Sequence, residues 1–151
     1  MAYILLAAGI FLGDMRIKSY VEKEFPDEGE HGRPGGLLLL RKHHNRGAFL
    51  NMGQGQRRTV AVLSVCLTVF VFVLFVLSLG LKGNGALKTG LAMLLGGAFS
   101  NTYDRLKRKY VVDYFSFGVG WKWLSRIIFN ISDFGIIFGA LIAALSAGNL
   151  D

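Results

Sequence analysis

Three features of the sequence predict a mostly α-helical integral membrane protein with four transmembrane helices. Of its 151 residues, 52% are hydrophobic, and the mean hydropathy is +0.44, which is too apolar for an ordinary soluble domain. Residues 59–79 form an uncharged run, and a helix needs about 20 residues to cross a bilayer. Further apolar segments lie at 2–20, 87–104 and 127–147. We therefore expect residues 1–151 to form a single membrane domain.

The charge and the cysteine content restrict the possible partners. The formal net charge is +7, but the basic residues lie in the loops that flank the hydrophobic spans. That distribution is typical of contact with anionic lipid headgroups. We therefore expect anionic membrane lipids as partners and no nucleic acid. Cys66 is the single cysteine and lies within an apolar run, so the chain cannot form an internal disulfide.

The first span, 2–20, starts with twelve uncharged residues and then carries Asp14, Arg16 and Lys18. Twelve residues are too few to cross a bilayer, so the helix must continue with its polar groups near one interface. A signal peptide is the alternative, but its usual basic start is missing here. We expect a retained helix. Asp14 and Lys18 are four residues apart, and they form either a local ion pair or a polar face turned toward a site.

The first loop, 21–58, contains both prolines and a short apolar run, Leu37 to Leu40. This run predicts a strand or a segment lying in the membrane interface. His43 and His44 are adjacent, so on a strand they would point to opposite sides and make a poor metal site. Asn45 and Gly47, taken alone, predict a turn.

The third span, 87–104, is rich in small residues, which permits close approach of a neighbouring helix. Its far end carries Asn101, Asp104 and Arg105. Their spacings of three and four place them on adjoining parts of one helical face. A polar group at the end of a hydrophobic span is costly unless it has a partner or a function.

The second large loop, 105–126, contains a β-branched and aromatic segment, Val111 to Phe117, which predicts a short strand carrying Asp113. Trp121 and Trp123 are expected at the level of the headgroups. The fourth span, 127–147, has Asp133 as its one ionisable residue. It also contains a GxxxG pattern that favours helix packing.

An even number of spans brings the polar segments to one interface. Two neighbouring carboxyl groups there, those of Asp113 and Asp133, would share a proton. One could then act as a base toward water while the other donates to a carbonyl oxygen, as in an aspartic protease, with no metal or cofactor. The alternative is structural, because Asp133 would favour the dipole of its helix and Asp113 would balance nearby lysines. Spacing alone leaves both interpretations open.

Five segments resemble successive motifs of a known family. They are DMRIK from Asp14, NRGAF from Asn45, GGAFSNTYDR from Gly96, VVDYF from Val111 and FNISD from Phe129. In this order and around four spans they resemble the lipoprotein signal peptidases, signal peptidase II. The resemblance implies a bacterial inner-membrane aspartyl protease that removes the signal peptide from prolipoproteins. It would cut before a cysteine that already carries diacylglycerol.

The resemblance also implies roles for individual residues. Asp113 and Asp133 correspond to the catalytic pair. The expected substrate-binding or supporting residues are Asp14, Lys18, Asn45, Gly47, Asn101, Asp104, Arg105 and Asn130. Departures from the family pattern occur at Ser100, Ser132 and Phe49 to Asn51, and Ser132 could add a hydrogen bond near Asp133. The family further implies a small extracytoplasmic β-sheet, formed by the first loop and the strand after the third helix. We expect no cofactor and a monomer.

The distribution of basic residues opposes the orientation that the family implies. Of the 17 lysines and arginines, nine lie in 14–58 and six in 104–126, on one side, and two lie on the other side. The positive-inside rule would place the larger group in the cytoplasm. Because lipoprotein processing takes place at the outer face, we expect these bases to bind outer-leaflet headgroups and both termini to be cytoplasmic.

Two other functional classes remain as alternatives. A non-enzymatic membrane assembly factor or chaperone would use the same basic, tryptophan-flanked loops, but it would tolerate loss of either aspartate. A small ion or proton transporter would need acidic residues near the membrane midplane, whereas here they cluster at helix ends.

Overall fold

The structure is a computed structural model that describes residues 1–25, 28–30, 36–47, 54–118, 121 and 123–147. It is mostly helical, with four long helices and a small sheet, as predicted. The elements in chain order are α1 (Ala2–Glu24), β1 (Gly29–Glu30), β2 (Leu38–Asn45), α2 (Arg57–Leu79), α3 (Gly85–Lys107), β3 (Val111–Phe117) and α4 (Ile131–Ala147). Short 3₁₀ turns at Gln54–Gln56 and Leu124–Arg126 precede α2 and α4.

Length and hydropathy identify one clear membrane span among the described helices. It is α2, with 23 residues, a mean hydropathy of 3.1 and 17% of its most apolar stretch buried. The shorter α4 is apolar over its 17 residues. Helices α1 and α3 have 23 residues each, which gives a length of about 35 Å, but they carry charged side chains. Composition alone therefore supports fewer spans than the four that we predicted.

Helix α3 lies at the centre and packs against each of the other three long helices. Glycines permit the close approach. A Cβ atom added to Gly139 would lie 2.6 Å from the carbonyl oxygen of Gly90, and one added to Gly96 would lie 2.6 Å from that of Ala7. The small residues of the third and fourth predicted spans thus permit the close helix packing that we predicted, because α4 and α1 approach α3 at these glycines.

The sheet is antiparallel with strand order β1-β2-β3. Leu40 pairs with Phe115 and His43 pairs with Asp113, so β2 contains one more residue than β3 over this stretch. Such a β-bulge changes which side chains of the strand face the neighbouring elements. It aligns His43, and with it Asn45 two residues further on, with the segment of β3 that carries Asp113.

Two side chains of β2 connect the sheet to the end of α1. The Lys42 ammonium donates to the carbonyl oxygens of Glu22 (3.2 Å) and Phe25 (2.7 Å). The two ring nitrogens of His44 lie 2.7 Å from carboxylate oxygens, one of Glu22 and one of Glu28. The carbonyls at the C-terminus of α1 therefore gain donors, and the sheet is held against that end of the helix.

The observed boundaries differ from the prediction in places. The fourth span was predicted from residue 127, but α4 begins at Ile131. The prediction was wrong there because Phe129 pairs with β3: its N–H donates to the carbonyl oxygen of Phe115, and its own carbonyl accepts from Tyr114 and Phe115. Helices α1 and α3 extend to Glu24 and Lys107, into the predicted loops. Residues 49–51, where the sequence departs from the family pattern, lie outside the described residues.

Candidate active site

Asp113 on β3 and Asp133 in the first turn of α4 are joined by a single residue, Asn130. The side-chain amide of Asn130 donates to Asp113 Oδ1 at 2.7 Å. The backbone N–H of Asn130 donates to Asp133 Oδ2 at 3.0 Å. The two predicted carboxyl groups are thus neighbours in the structure, at the junction of the sheet and α4.

Asn130 and Asp133 form a reciprocal cap at the start of α4. Asn130 Oδ1 accepts from the backbone N–H of Asp133 at 2.9 Å, while the Asp133 carboxylate accepts from the backbone N–H of Asn130. This arrangement satisfies two helix-end donors and is a variant of the capping box. Asp133 therefore occupies the favourable position at a helix N-terminus that the structural alternative predicted, and it also lies beside Asp113.

Each carboxyl group also accepts a hydrogen bond from a second asparagine. Asn45 Nδ2 donates to Asp113 Oδ2 at 3.1 Å, and Asn101 Nδ2 donates to Asp133 Oδ1 at 3.0 Å. Asn45 reaches Asp113 from β2 beyond the bulge, and Asn101 reaches Asp133 from α3. The pair is therefore held from three directions by neutral amides.

The surroundings of Asp113 favour its protonated form. Burial, followed by the neighbouring charge of Asp133, raises the pKa of Asp113 to about 8, against the opposing effect of the Asn45 and Asn130 hydrogen bonds. Two close carboxyl groups cannot both ionise cheaply. The site therefore retains a proton near neutral pH, which is the requirement for a pair in which one group is a base and the other an acid.

A cavity of about 620 Å³ opens beside the pair. Its polar lining includes both aspartates, Asn45, Asn101 and Arg105. The remaining wall is largely apolar and comes from α2, α3, the segment before α4, and α4 itself. These apolar lining residues are Leu67, Val71, Leu94, Ala98, Ile127, Ile128, Phe129, Ile136 and Ile137. The cavity thus brings two carboxyl groups together with a largely apolar wall.

Three basic residues line the same cavity, namely His43, Arg105 and Arg126. The Arg105 guanidinium donates to the carbonyl oxygens of Gly47 (3.1 Å) and Asn101 (3.3 Å). Arg105 Nε is buried and has no hydrogen-bond partner among the described residues. His43 also lines the cavity, and burial lowers its pKa despite the opposing charge of Glu28, so its ring is neutral near pH 7.

A second, fully buried layer lies behind the asparagines. The Lys18 ammonium contacts carboxylate oxygens of Asp14 at 2.8 Å and of Asp104 at 3.1 Å, and all three side chains are 0% exposed. Lys18 also donates to Asn101 Oδ1 at 2.8 Å. Since Asn101 donates in turn to Asp133, this ion cluster is one hydrogen-bonded residue away from the pair.

The structure thus brings together all ten predicted site residues, but in two layers. The cavity is lined by Asn45, Asn101, Arg105, Asp113 and Asp133. Gly47 and Asn130 support these through hydrogen bonds, and Asp14, Lys18 and Asp104 form the buried cluster. Asp104 does not line the cavity. Its carboxylate pairs with Arg108 at 2.6 Å and accepts a hydrogen bond from the N–H of Val112.

Two features of the second layer were not predicted. Tyr114 follows Asp113 and, by strand alternation, projects to the opposite side of β3, where its hydroxyl donates to Asp14 Oδ1 at 2.7 Å. Ser100 donates to Asp14 Oδ2 at 2.6 Å. Both residues lie within the motifs named above, but Asp14 is 100 positions from Tyr114 and 86 from Ser100. No local pattern indicates such a pairing.

Comparison with known proteins agrees with this architecture and these motifs. The family model for signal peptidase (SPase) II matches residues 6–148. A lipoprotein signal peptidase of Caldicellulosiruptor bescii is 30% identical over 142 residues, which cover 94% of this chain and 87% of that protein. Another, from Paraburkholderia phymatum, is 36% identical over 146 residues, covering 91% and 81%.

A solved bacterial membrane enzyme has the same fold, with a TM-score of 0.82 and 20% identity over 98% of this chain and 88% of that one. The matches in sequence and in structure both extend over nearly the whole chain. The chain therefore belongs to the signal peptidase II family.

Proposed function

We propose that this protein is an aspartic endopeptidase that removes the signal peptide from diacylglyceryl-modified prolipoproteins, with Asp113 and Asp133 as its catalytic pair. Signal peptidase II acts on lipoprotein precursors, and its members are bacterial membrane proteins. The observation that supports the residue assignment is that Asn130 donates hydrogen bonds to both carboxyl groups, which line a cavity with a largely apolar remaining wall.

The chemistry follows from a pair that holds one proton. The ionised carboxylate takes a proton from the attacking water, and the protonated carboxyl donates its proton to the carbonyl oxygen of the scissile peptide. The asparagines fix both groups without adding a positive charge that would stabilise full ionisation.

The cavity suits a substrate that is both peptidic and lipidic. A signal peptide contributes an apolar helical segment, and a diacylglyceryl cysteine contributes acyl chains. Both would gain by contact with the apolar wall that α2 and α4 form, while the scissile bond meets the two carboxyl groups. We assign the cut to the N-terminal side of the lipidated cysteine, as the family resemblance implies.

We further propose that the 151 residues act as one four-helix membrane domain and as a monomer, with α1 and α3 crossing the bilayer beside α2 and α4. The aspartate pair would then lie at the extracytoplasmic face, with both termini in the cytoplasm. The basic residues of the two large loops would bind anionic headgroups of the outer leaflet. Trp121 and Trp123, which are exposed, suit that interface.

The test is cleavage of a diacylglyceryl prolipoprotein peptide by the purified chain and by the variants Asp113→Asn and Asp133→Asn. Each variant keeps the size of the side chain but cannot share a proton. Each should therefore lower kcat by several orders of magnitude, and the double variant should be little worse than either single one, because the two groups act as a unit. Glu24→Gln, at an exposed position at the end of α1, is the control and should retain full activity.

The alternative of a non-enzymatic assembly factor makes the opposite prediction. An assembly factor would leave the peptide uncut, and both asparagine variants would support its role in cells as well as the unsubstituted chain. Substantial cleavage by either well-inserted single variant would refute the aspartic mechanism for this protein.

A further inference from the structure

Two buried serines meet at a single carboxylate oxygen behind the aspartate pair. Ser100 on α3 and Ser132 on α4 are both 0% exposed. Each donates to Asp14 Oδ2, at 2.6 Å. Neither serine lines the cavity, so neither is placed to contact the substrate.

The Asp14 carboxylate is fully supplied with donors. Besides the two serines, Lys18 Nζ approaches Oδ2 at 2.8 Å and the Tyr114 hydroxyl donates to Oδ1 at 2.7 Å. Burial, together with the charge of Asp14, raises the pKa of Tyr114, so its phenol remains a donor. An ionised carboxylate accepts about four hydrogen bonds. The donors come from α1, α3, β3 and α4, and all of these elements are joined at this one group.

Three of these donors, Ser100, Tyr114 and Ser132, come from elements other than α1. Each of the three is adjacent in sequence to a residue of the site. Ser100 precedes Asn101, which donates to Asp133. Ser132 precedes Asp133 itself, and Tyr114 follows Asp113. A short hydrogen bond to a buried charge at each neighbouring position restricts the backbone that carries the site residue.

We propose that Ser100 and Ser132 are positioning residues of the aspartate pair, which act by fastening α3 and α4 to the Asp14 carboxylate. This inference rests on the proposed function of Asp113 and Asp133.

The expected effect is on turnover more than on substrate binding. Removing one hydroxyl leaves a buried charge with one donor fewer, which costs more than the loss of a neutral hydrogen bond. The carboxyl groups of the pair must keep their geometry within fractions of an ångström for efficient reaction. Because the serines lie outside the cavity, the contacts that bind the peptide remain.

The experiment measures kcat and KM of the full-length chain in detergent on a diacylglyceryl prolipoprotein peptide, well below the Tm of each variant. Ser100→Ala and Ser132→Ala should each lower kcat about five- to tenfold, with KM changed less than about twofold. The double variant should lose more than the product of the two single losses, because Oδ2 then keeps Lys18 as its one remaining donor among these groups.

Ser116→Ala is the matched control. Ser116 is also 0% exposed, but its hydroxyl has no hydrogen-bond partner among the described residues, so the same truncation should leave kcat unchanged. The inference is overturned if both single variants keep kcat within twofold of the unsubstituted chain, if Ser116→Ala loses as much, or if the double loss is merely multiplicative. Failure of the unsubstituted chain to cleave the peptide would instead refute the proposed function, and the inference with it.

Discussion

At the scale of single residues, the protonation of the aspartate pair depends on the charge of the groups that donate hydrogen bonds to it. Asp113 and Asp133 accept from the side chains of Asn45, Asn101 and Asn130, which are neutral. Arg105, which lines the same cavity, donates from its two terminal nitrogens to backbone carbonyls. A cation bonded directly to either carboxylate would favour loss of the shared proton. Amide donors hold the geometry and leave the proton in place.

The raised pKa of Asp113 predicts the pH dependence of activity. Up to about pH 8 the pair keeps its shared proton, and above this value the proton is lost together with the acid of the reaction. We therefore expect kcat to fall as the pH rises past about 8, with apparent pKa values that belong to the pair as a unit. Cleavage assays between pH 5 and 10 measure this. A kcat that keeps rising through pH 9 would contradict the assignment.

The same pKa links stability to pH. A carboxyl group whose pKa is raised on folding binds its proton more tightly in the folded state, so its contribution is fully present below the unfolded value of 3.8 and is lost as the pH rises through about 8. The free energy of unfolding should therefore decrease between about pH 4 and pH 8. Asp113→Asn should flatten this slope, which thermal unfolding in detergent at several pH values would detect.

At the scale of elements, sequence patterns predicted the strand better than its pairing. Residues 111–117 were predicted as a strand and form β3 with the same bounds, because a β-branched and aromatic run is a local signal. The bulge in β2 and the pairing of Phe129 with β3 depend on contacts between distant segments, so no local pattern indicated them. The bulge places Asn45 within hydrogen-bonding distance of Asp113, and the pairing of Phe129 with β3 means that α4 begins only at Ile131.

The candidate site shows the same division. The motif resemblance indicated both aspartates and the asparagines that hold them, because each motif is local in sequence. The layer behind them was only partly predictable. The spacing of Asp14 and Lys18 suggested an ion pair, but the joining of four elements at Asp14 requires the packing of α1 between α3, α4 and β3. Ser132 was expected to add a hydrogen bond, and its partner is Asp14 instead of the pair.

The contact between α3 and α4 yields a prediction with a clean control. In Gly139→Ala the new Cβ atom would lie 2.6 Å from the carbonyl oxygen of Gly90 and would also crowd the backbone N of Leu94. The helices must separate, so we expect destabilisation by about 1–3 kcal/mol, with reduced cleavage because α4 carries Asp133. Thermal unfolding and peptide cleavage in detergent measure the two effects.

Gly9→Ala in α1 is the comparison. A Cβ atom there meets nothing within 4 Å, so the change should be neutral or stabilising, by about 0.5–1 kcal/mol, through the better helix propensity of alanine. Equal losses in the two variants would show that the α3–α4 contact has no special requirement for glycine.

At the scale of the whole molecule, the buried ion cluster accounts for part of the low hydropathy of α1 and α3. Lys18 and Asp14 on α1 and Asp104 on α3 are all 0% exposed, and Arg108, which pairs with Asp104 at 2.6 Å, supplies the second positive charge that balances the two carboxylates. A hydropathy scale counts these residues as if they faced lipid, whereas in the structure they face protein. This supports the proposal that α1 and α3 cross the membrane with α2 and α4, since paired charges inside a bundle are tolerated there.

The proposed orientation can be tested with reporter fusions. If α1 and α2 both cross the bilayer, Gly29 in the first loop and Lys82 between α2 and α3 lie on opposite sides. A reporter active only in the cytoplasm should give no signal when fused after Gly29 and full signal when fused after Lys82, and a reporter active only outside should give the reverse. The excess of basic residues in 14–58 argues for the opposite orientation under the positive-inside rule, so this experiment separates the two. Cytoplasmic signal from the Gly29 fusion would place the aspartate pair on the inner side, out of reach of prolipoproteins presented at the outer face.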